Sequence, residues 1–266
     1  MMSLTKKELK DIKSLHTRKG RRVHGRFVAE GVRLLEEAVR HKVDPILLLC
    51  SPAVLSERGG ALVQQFRRRR IPVAEVSAQA LGGVSDSVTS QGLLGVFRIP
   101  QASSDKLLHP DCRTVLLCES ISDPGNLGTL LRCALAFRFH PVLLTGRCAD
   151  PHAPKVVRSS AGAVFGVEMV QADTAEVAGL KSRGNFRLIA ADPNSRRSVD
   201  DPSDIRAPRL ILAVGSEAAG LSESILTAAD CRWRLEHETC VDSLNAAVAA
   251  AIMMQRVYQY NIGKRN

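Results

Sequence analysis

The feature that most restricts this chain is an alternation of short, continuously apolar runs with stretches of helical length. In the second half the runs are Thr114–Glu119, Pro141–Thr145, Val164–Val170, Phe186–Ala191 and Arg209–Val214, and a helix is expected from about Asn126 and again over Ser243–Tyr260. The first half repeats the pattern on a smaller scale. Glu30–His41 places Val32, Leu35 and Val39 at helical spacing, Pro45–Cys50 reads as a buried strand, Ala53–Arg70 as a helix, and Ile71–Val76 and Gln91–Ile99 as strands. Strands alternating with helices at this length predict an α/β fold. Residues 101–112 (QASSDKLLHPDC) are polar and contain proline, so they read as a linker between a domain at 1–100 and a domain at 113–266.

Charge divides the chain at the same place. Residues 1–100 carry 18 Lys and Arg against nine Asp and Glu, and residues 101–266 carry 19 against 18, so nearly all of the net +10 lies in the first domain. A basic module joined to a near-neutral one points to a polyanion grip beside a catalytic or structural body, the alternative being a merely solvated surface. The cations gather in the stretch from Lys6 to Arg26, which reads as a frayed helix plus arm, with Arg18, Arg21, Arg22 and Arg26 as candidate nucleic-acid contacts. The run Arg67 to Arg70 is either a phosphate contact or a solvated helix end, where cations are favoured. Aromatics are only 4% of the residues, which argues against a single-strand binder that works by base stacking. Seven cysteines with no C-x-x-C fit a reducing compartment and argue against a disulfide framework or a zinc site. No apolar run has membrane-spanning length, and the start, MMSLTKKELKDIKSLH, lacks the apolar core of a signal peptide, so a soluble cytoplasmic protein is expected.

Three segments carry chemistry. In TVLLCESISDPGNLGTLLRCALAF (114–137) a strand runs through a Gly/Pro turn into a helix that Asn126 is placed to cap. Ligands of open α/β sheets sit beyond the carboxyl ends of strands, which makes this turn a site candidate. Arg132 follows among leucines, either partnered or reaching solvent along its stem. In RLILAVGSEAAGLSESIL (209–226) a second strand meets a glycine turn bearing Glu217, which either faces a ligand or simply favours a helix start. In VDSLNAAVAAAIMMQRVY (241–258) Ser243 and Asn245 precede an Ala-rich helix, as caps or as polar contacts for a ribose. None of the three is G-x-G-x-x-G or a Walker loop, which argues against a nucleotide-dependent oxidoreductase.

Taken in order, N-x-G-x-x-x-R at 126–132, G-x-E-x-x-G-L at 215–221 and S-L-N at 243–245 resemble the three motifs of the SpoU/TrmH branch of the SPOUT methyltransferases. Pro154-Lys155 with Arg158-Ser159-Ser160-Ala161-Gly162 resembles that family's P-K-x-x-R-x-S-x-G stretch. Phe27-Val28-Ala29-Glu30-Gly31 and Gln91-Gly92 resemble its N-terminal substrate-binding domain. The resemblance implies a parallel sheet flanked by helices with a C-terminal trefoil knot, preceded by a small α/β RNA-binding domain. It also implies S-adenosyl-L-methionine as cofactor, no metal, a homodimer, and 2′-O-ribose methylation of RNA, with 23S ribosomal RNA favoured over transfer RNA. A non-catalytic RNA or ribosome binder that keeps the fold is the rival. By the same resemblance Asn126, Arg132, Glu217, Ser243 and Asn245 form the catalytic surroundings. Gly215, Leu235 and Leu244, with Thr145 and Gly146, hold the cofactor, and Arg158 joins the RNA contacts. The family commonly has I-P-M where Leu235-Glu236-His237 stand here, so a looser turn is expected beside the cofactor. His237 is expected to be an exposed loop residue, with a general base as the alternative.

Overall fold

The computed structural model describes residues 4–87, 90–198, 205, 207–238, 240 and 244–263. By packing, the chain forms two units. One comprises residues 1–101 and 150–166, the other residues 102–149 and 167–266.

The first unit opens with two capped helices. α1 (Lys6–Ser14) has a reciprocal capping box between Thr5 and Glu8, and α2 (Arg18–His24) is capped by Thr17 and ends at Gly25 in the left-handed region. The basic stretch expected to fray is therefore ordered, because Ile12 and Leu15 anchor it in a core with Val28, Leu49, Leu81, Leu94 and Val96. The unit continues through β1 (Arg26–Glu30), α3 (Val32–Arg40), β2 (Leu47–Cys50), α4 (Glu57–Arg68), β3 (Val73–Glu75), α5 (Ala78–Val84) and β4 (Leu93–Arg98). Its sheet runs β1-β4-β2-β3, with β4 antiparallel to both neighbours and β2 parallel to β3. This mixed sheet with its helices is the small α/β domain that the alternation suggested.

Residues 150–166 carry the P-K-x-x-R stretch and belong to this unit rather than to the expected 113–266 domain. Charge, aromatic packing and glycine hold them. Asp150 accepts two hydrogen bonds from the Arg21 guanidinium, at 2.9 and 2.7 Å, and a third from the His152 backbone N–H. The His152 ring lies 4.7 Å from Phe27, and Phe165 lies 4.8 Å from Phe97. A Cβ on Gly162 (φ +93°) would stand 2.4 Å from the Cβ of Glu37 on α3, so this glycine is dictated by close approach.

The second unit begins inside the expected linker. A short 3-10 turn, Ser104–Leu108, buries Leu107 completely in the core of this unit. It continues with β5 (Thr114–Glu119), α6 (Pro124–Ala136), β6 (Val142–Thr145), and, beyond α7 (Pro154–Ser159) of the first unit, β7 (Met169–Gln171), α8 (Thr174–Gly184), β8 (Arg187–Ala191), β9 (Leu210–Val214), α9 (Glu223–Ala228), β10 (Cys231–Trp233) and α10 (Ala246–Gly263). All six strands are parallel, in the order β10-β8-β9-β5-β6-β7. Helices flank the sheet. Val177 and Leu180 of α8 and Ile225 of α9 share one core with Val115, Leu117 and Ile211, while α10 packs on α6 and β9. Arg209 closes the start of the sheet. Its guanidinium lies 4.0 Å over the Phe186 ring and donates to the carbonyls of Cys112, Gly184, Leu107 and His109.

Burial pushes the pKa of His152 down from 6.5 to about 4, so the folded chain holds this ring neutral. Above pH 6.5 both folded and unfolded states carry a neutral imidazole. As the pH falls from 6.5 toward 4, the unfolded chain takes up a proton that the folded one refuses. Stability should fall by about 3 kcal/mol across that window from this group. His152→Phe should flatten the loss in urea unfolding measured at pH 7 and pH 4.5; an unchanged slope would show that His152 takes up its proton equally in the folded and unfolded chain.

Candidate active site

Reading along the second sheet, the strand order reverses direction between β5 and β9, and the crevice beyond the carboxyl ends of strands at such a point is where α/β sheets bind ligands. Both motif loops leave from there. β5 and β9 pair from Thr114 opposite Leu210 to Cys118 opposite Val214, so Glu119 and Gly215 lie at the mouth of the crevice.

The first loop ends at α6. Asp123, not Asn126, caps this helix: its carboxylate accepts the Asn126 backbone N–H at 2.8 Å, and Pro124 occupies the first turn. Asn126 sits one turn in, which leaves its amide free to reach outward. It donates to Glu217 Oε1 at 3.2 Å. Asn245 donates to the same oxygen at 2.6 Å and to Asn126 Oδ1 at 3.0 Å, and the Ala246 N–H adds a contact at 3.3 Å. Asn245 Oδ1 in turn caps α10 through the N–H groups of Ala247 and Val248. Residues 91 and 119 positions apart in sequence thus meet as one hydrogen-bonded cluster of Asn126, Glu217 and Asn245.

The second loop is compact. Gly220 donates to the Ser216 carbonyl at 2.8 Å, and a Cβ on Gly215 would stand 2.2 Å from the Gly220 carbonyl carbon, so only glycine fits there. Beneath the cluster lies a cavity of about 380 Å³. Gly215 to Leu221 form one side, Ala191 to Asn194 after β8 a second, and Trp233, Leu235, His237, Leu244 and Met253 the rest. Of the residues expected around a cofactor, Gly215, Leu235 and Leu244 line this cavity. Thr145 and Gly146 do not: they stand at the end of β6, on the far side of β5, where Gly146 (φ +65°) approaches Ser120 closely. Ser243 lies outside the described residues. His237 is exposed and meets the Leu235 carbonyl at 3.0 Å, and Glu236 pairs at 3.7 Å with Arg234.

Arg132 is exposed on α6, and among the described residues it makes no hydrogen bond or ion pair. The leucines beside it turn inward while its guanidinium takes the solvent side. In the first unit, Arg18, Arg22 and Arg26 are exposed. Arg21 is not: it is 3% exposed, and its guanidinium is spent on Asp150 and the Leu15 carbonyl. Arg158 pairs with Asp86 at 2.6 Å, and within the four-arginine run Arg67 pairs with Glu75 and Arg69 with Asp44. Asp192 escaped the sequence reading, although it closes β8 as Glu119 closes β5. It is buried, binds the Asn194 N–H at 2.9 Å and lines the cavity. Among the described residues no three His, Cys, Asp or Glu are grouped to hold a metal, and no helix is long and apolar enough to cross a membrane.

A parallel α/β sheet with a cavity beyond the carboxyl ends of β8, β9 and β10, and a hydrogen-bonded Asn–Glu–Asn cluster whose Glu217 lines it, defines the class of protein. The model of the SpoU rRNA Methylase family matches residues 113–255, and that of the MRM3-like substrate binding domain matches residues 6–95. The chain belongs to the SpoU rRNA methylase family. It is 30% identical to the 23S rRNA (guanosine(2553)-2′-O)-methyltransferase RlmP of Bacillus subtilis, over 95% of this chain and 96% of that one. It is 28% identical to the 23S rRNA (uridine(2479)-2′-O)-methyltransferase of Streptomyces viridochromogenes, over 91% and 85%. The solved AdoMet-bound rRNA methyltransferase from Sinorhizobium meliloti superposes with a TM-score of 0.85 at 26% identity, over 98% of this chain and 97% of that one.

The burial of Arg21 separates two effects that the basic stretch confounds. Arg21→Ala should lower stability by about 3–5 kcal/mol, since it strands Asp150. Arg22→Ala should leave the melting temperature unchanged and weaken RNA binding. Equal effects of the two on RNA affinity per folded molecule would contradict this division.

Proposed function

We propose that this protein is an S-adenosylmethionine-dependent RNA 2′-O-ribose methyltransferase that acts on ribosomal RNA, with 23S RNA as the favoured substrate. The observation that carries the reading is the Asn126–Glu217–Asn245 cluster on the rim of the 380 Å³ cavity. The chemistry of the cavity suits the cofactor. Leu221, Leu226, Leu235 and Leu244 offer apolar walls for an adenine, and the tight turn at Gly215 offers bare backbone for polar atoms. The two relatives share the 2′-oxygen and the 23S RNA in their names and differ in the base, so the base is a property of each protein.

S-adenosylmethionine, when bound, supplies an electrophilic methyl group on a sulfonium sulfur. The chain supplies the placement of the ribose and compensation for the negative charge that grows on the oxygen as its proton passes to solvent. Glu217 Oε1 already accepts three hydrogen bonds, which makes this carboxylate an organiser of the two amides. Both Asn245 N–H groups are committed to Asn126 and Glu217, so Asn126 keeps the spare amide N–H for a ligand. Arg132 carries a permanent charge, which suits it to clamp a phosphate and to stabilise an alkoxide better than to take up a proton. Ser243 joins the site by the family motif.

Arg18, Arg22 and Arg26 supply an electrostatic grip on RNA, and Arg158 joins them where its pair with Asp86 opens. A homodimer is part of the reading. Val248 and Ile252, 48% and 36% exposed, stand one turn apart on α10, the helix that starts at the Asn245 cap. The trefoil knot and a cytoplasmic location are part of it too. Support for the knot is that the segments after β8, β9 and β10 converge on one cavity.

The test is methyl transfer from labelled S-adenosylmethionine to ribosomal RNA that lacks the modification, followed by digestion to nucleosides. A labelled 2′-O-methyl nucleoside from 23S RNA is the expected result. Label in transfer RNA instead would move the substrate, and no cofactor binding at all would favour a non-catalytic RNA binder. Arg132→Ala should lower kcat by about 10²–10³-fold with folding intact. Turnover of Arg132→Lys that matches the native protein at every pH would remove any special role for the guanidinium.

A further inference from the structure

A buried carboxylate stands directly behind the second motif loop and is absorbed by none of the roles above. Glu119 is the last residue of β5 and is 7% exposed. β9 has ended at Val214, opposite Cys118, so Glu119 has no strand partner on that side. The returning chain fills the gap. Glu119 Oε2 accepts the Ser222 backbone N–H at 2.7 Å, and Glu119 Oε1 accepts the Ser222 hydroxyl, also at 2.7 Å. Ser222 is the cap residue of α9. Both carboxylate oxygens are thus committed to one residue 103 positions later in the chain.

We infer that Glu119 is a positioning residue that holds the loop 215–221 closed against the sheet and thereby shapes the cofactor cavity. The loop is tied at its start by the β5–β9 ladder, in its middle by the Ser216–Gly220 contact, and at its end by Glu119. These ties fix where its backbone faces the cavity, and they fix the root from which Glu217 reaches Asn126 and Asn245. Release of the last tie leaves the loop held by the buried Leu221 and by the Glu217 hydrogen bonds, and loosens its backbone where it faces the cavity. Glu119 touches neither the cavity nor the Asn–Glu–Asn cluster, so it acts through Ser222 and not on the reacting atoms. The nature of the tie sets what each substitution does. Glutamine keeps the shape, accepts the Ser222 N–H through its oxygen and donates to the Ser222 hydroxyl oxygen through its amide. Alanine removes both bonds and leaves the Ser222 N–H without a partner.

This inference rests on the cavity being the S-adenosylmethionine site, so the measurement is binding of S-adenosylmethionine to the full chain by calorimetry, with melting temperatures recorded alongside. Failure of the native protein to bind would overturn the reading of the cavity. Given native binding, Glu119→Ala should raise Kd tenfold or more, Ser222→Ala should raise it less, and Glu119→Gln should stay within about threefold of native. In the Glu119→Ala background, Ser222→Ala should add nothing. In steady-state assays the loss should appear in KM for the cofactor, with kcat at saturation falling less. Native-like affinity in Glu119→Ala would overturn the inference. So would a Glu119→Gln variant as weak as Glu119→Ala, since that would make the charge and not the hydrogen bonds the active feature. If Glu119→Ala fails to fold, Ser222→Ala and Glu119→Gln still decide the matter: native affinity in Ser222→Ala together with loss in Glu119→Gln would refute the tie.

Discussion

The parallel ladder between β5 and β9 is the contact on which the rest of the second unit depends. Five residue pairs, from Thr114 opposite Leu210 to Cys118 opposite Val214, align the ends of two strands almost a hundred residues apart. Both strands are buried along their length, so the register is locked by apolar packing on both faces and not by the ligand site. What leaves the two ends is polar by necessity. Glu119 on one strand has lost its neighbour on the β9 side, Gly215 on the other must turn back on itself, and Asn126 and Asn245 come to Glu217 from two helix starts. Asn126, Glu217 and Asn245 stand beyond the last pair of the β5–β9 ladder, so their polar groups do not interrupt its apolar packing.

Helix capping and the placement of the Asn126–Glu217–Asn245 cluster are joined in one set of atoms here. Asp123 takes the capping task on α6, and that substitution of roles releases Asn126. Asn245 caps α10 with its oxygen while its nitrogen reaches Glu217. The orientation of the amides is therefore set by the same hydrogen bonds that begin the helices, and a ligand meets a geometry already determined by folding.

The first unit shows how composition and location differ. The net +9 of residues 1–100 reads as one basic surface, yet Arg21 lies inside, paired with Asp150, and Arg67, Arg69 and Arg158 each meet a carboxylate. Arg18, Arg22 and Arg26 are exposed on and just after one short helix, and Arg33, Arg68, Arg70 and Arg98 are exposed elsewhere in the unit. Arg21 also explains why Asp150–Gly166 leaves the unit that its place in the sequence suggests: the ion pair, the Phe27–His152 contact and the close approach at Gly162 all bind it to the first unit.

Local sequence determined the strands of the second unit, since runs such as TVLLCE and LILAV are buried on both sides and have no other stable use. It also determined the order of the motifs and two glycine turns, and the ordered motifs carried the family. The residues at the strand ends were legible as site candidates because an α/β sheet has one favourable place for a ligand. Other features were decided only by tertiary structure. Which side chain caps α6, that Arg21 is buried, that residues 150–166 cross to the other unit, that 102–112 carries the core residue Leu107, and that Thr145 and Gly146 stand apart from the cavity all depend on partners distant in the chain. β1 and β10 were missed for the same reason: each becomes a strand by pairing with a partner, β4 or β8, that its own residues do not specify. Periodicity records which residues must be buried, whereas a hydrogen bond or ion pair records who the neighbour is, and only the folded chain supplies the neighbour.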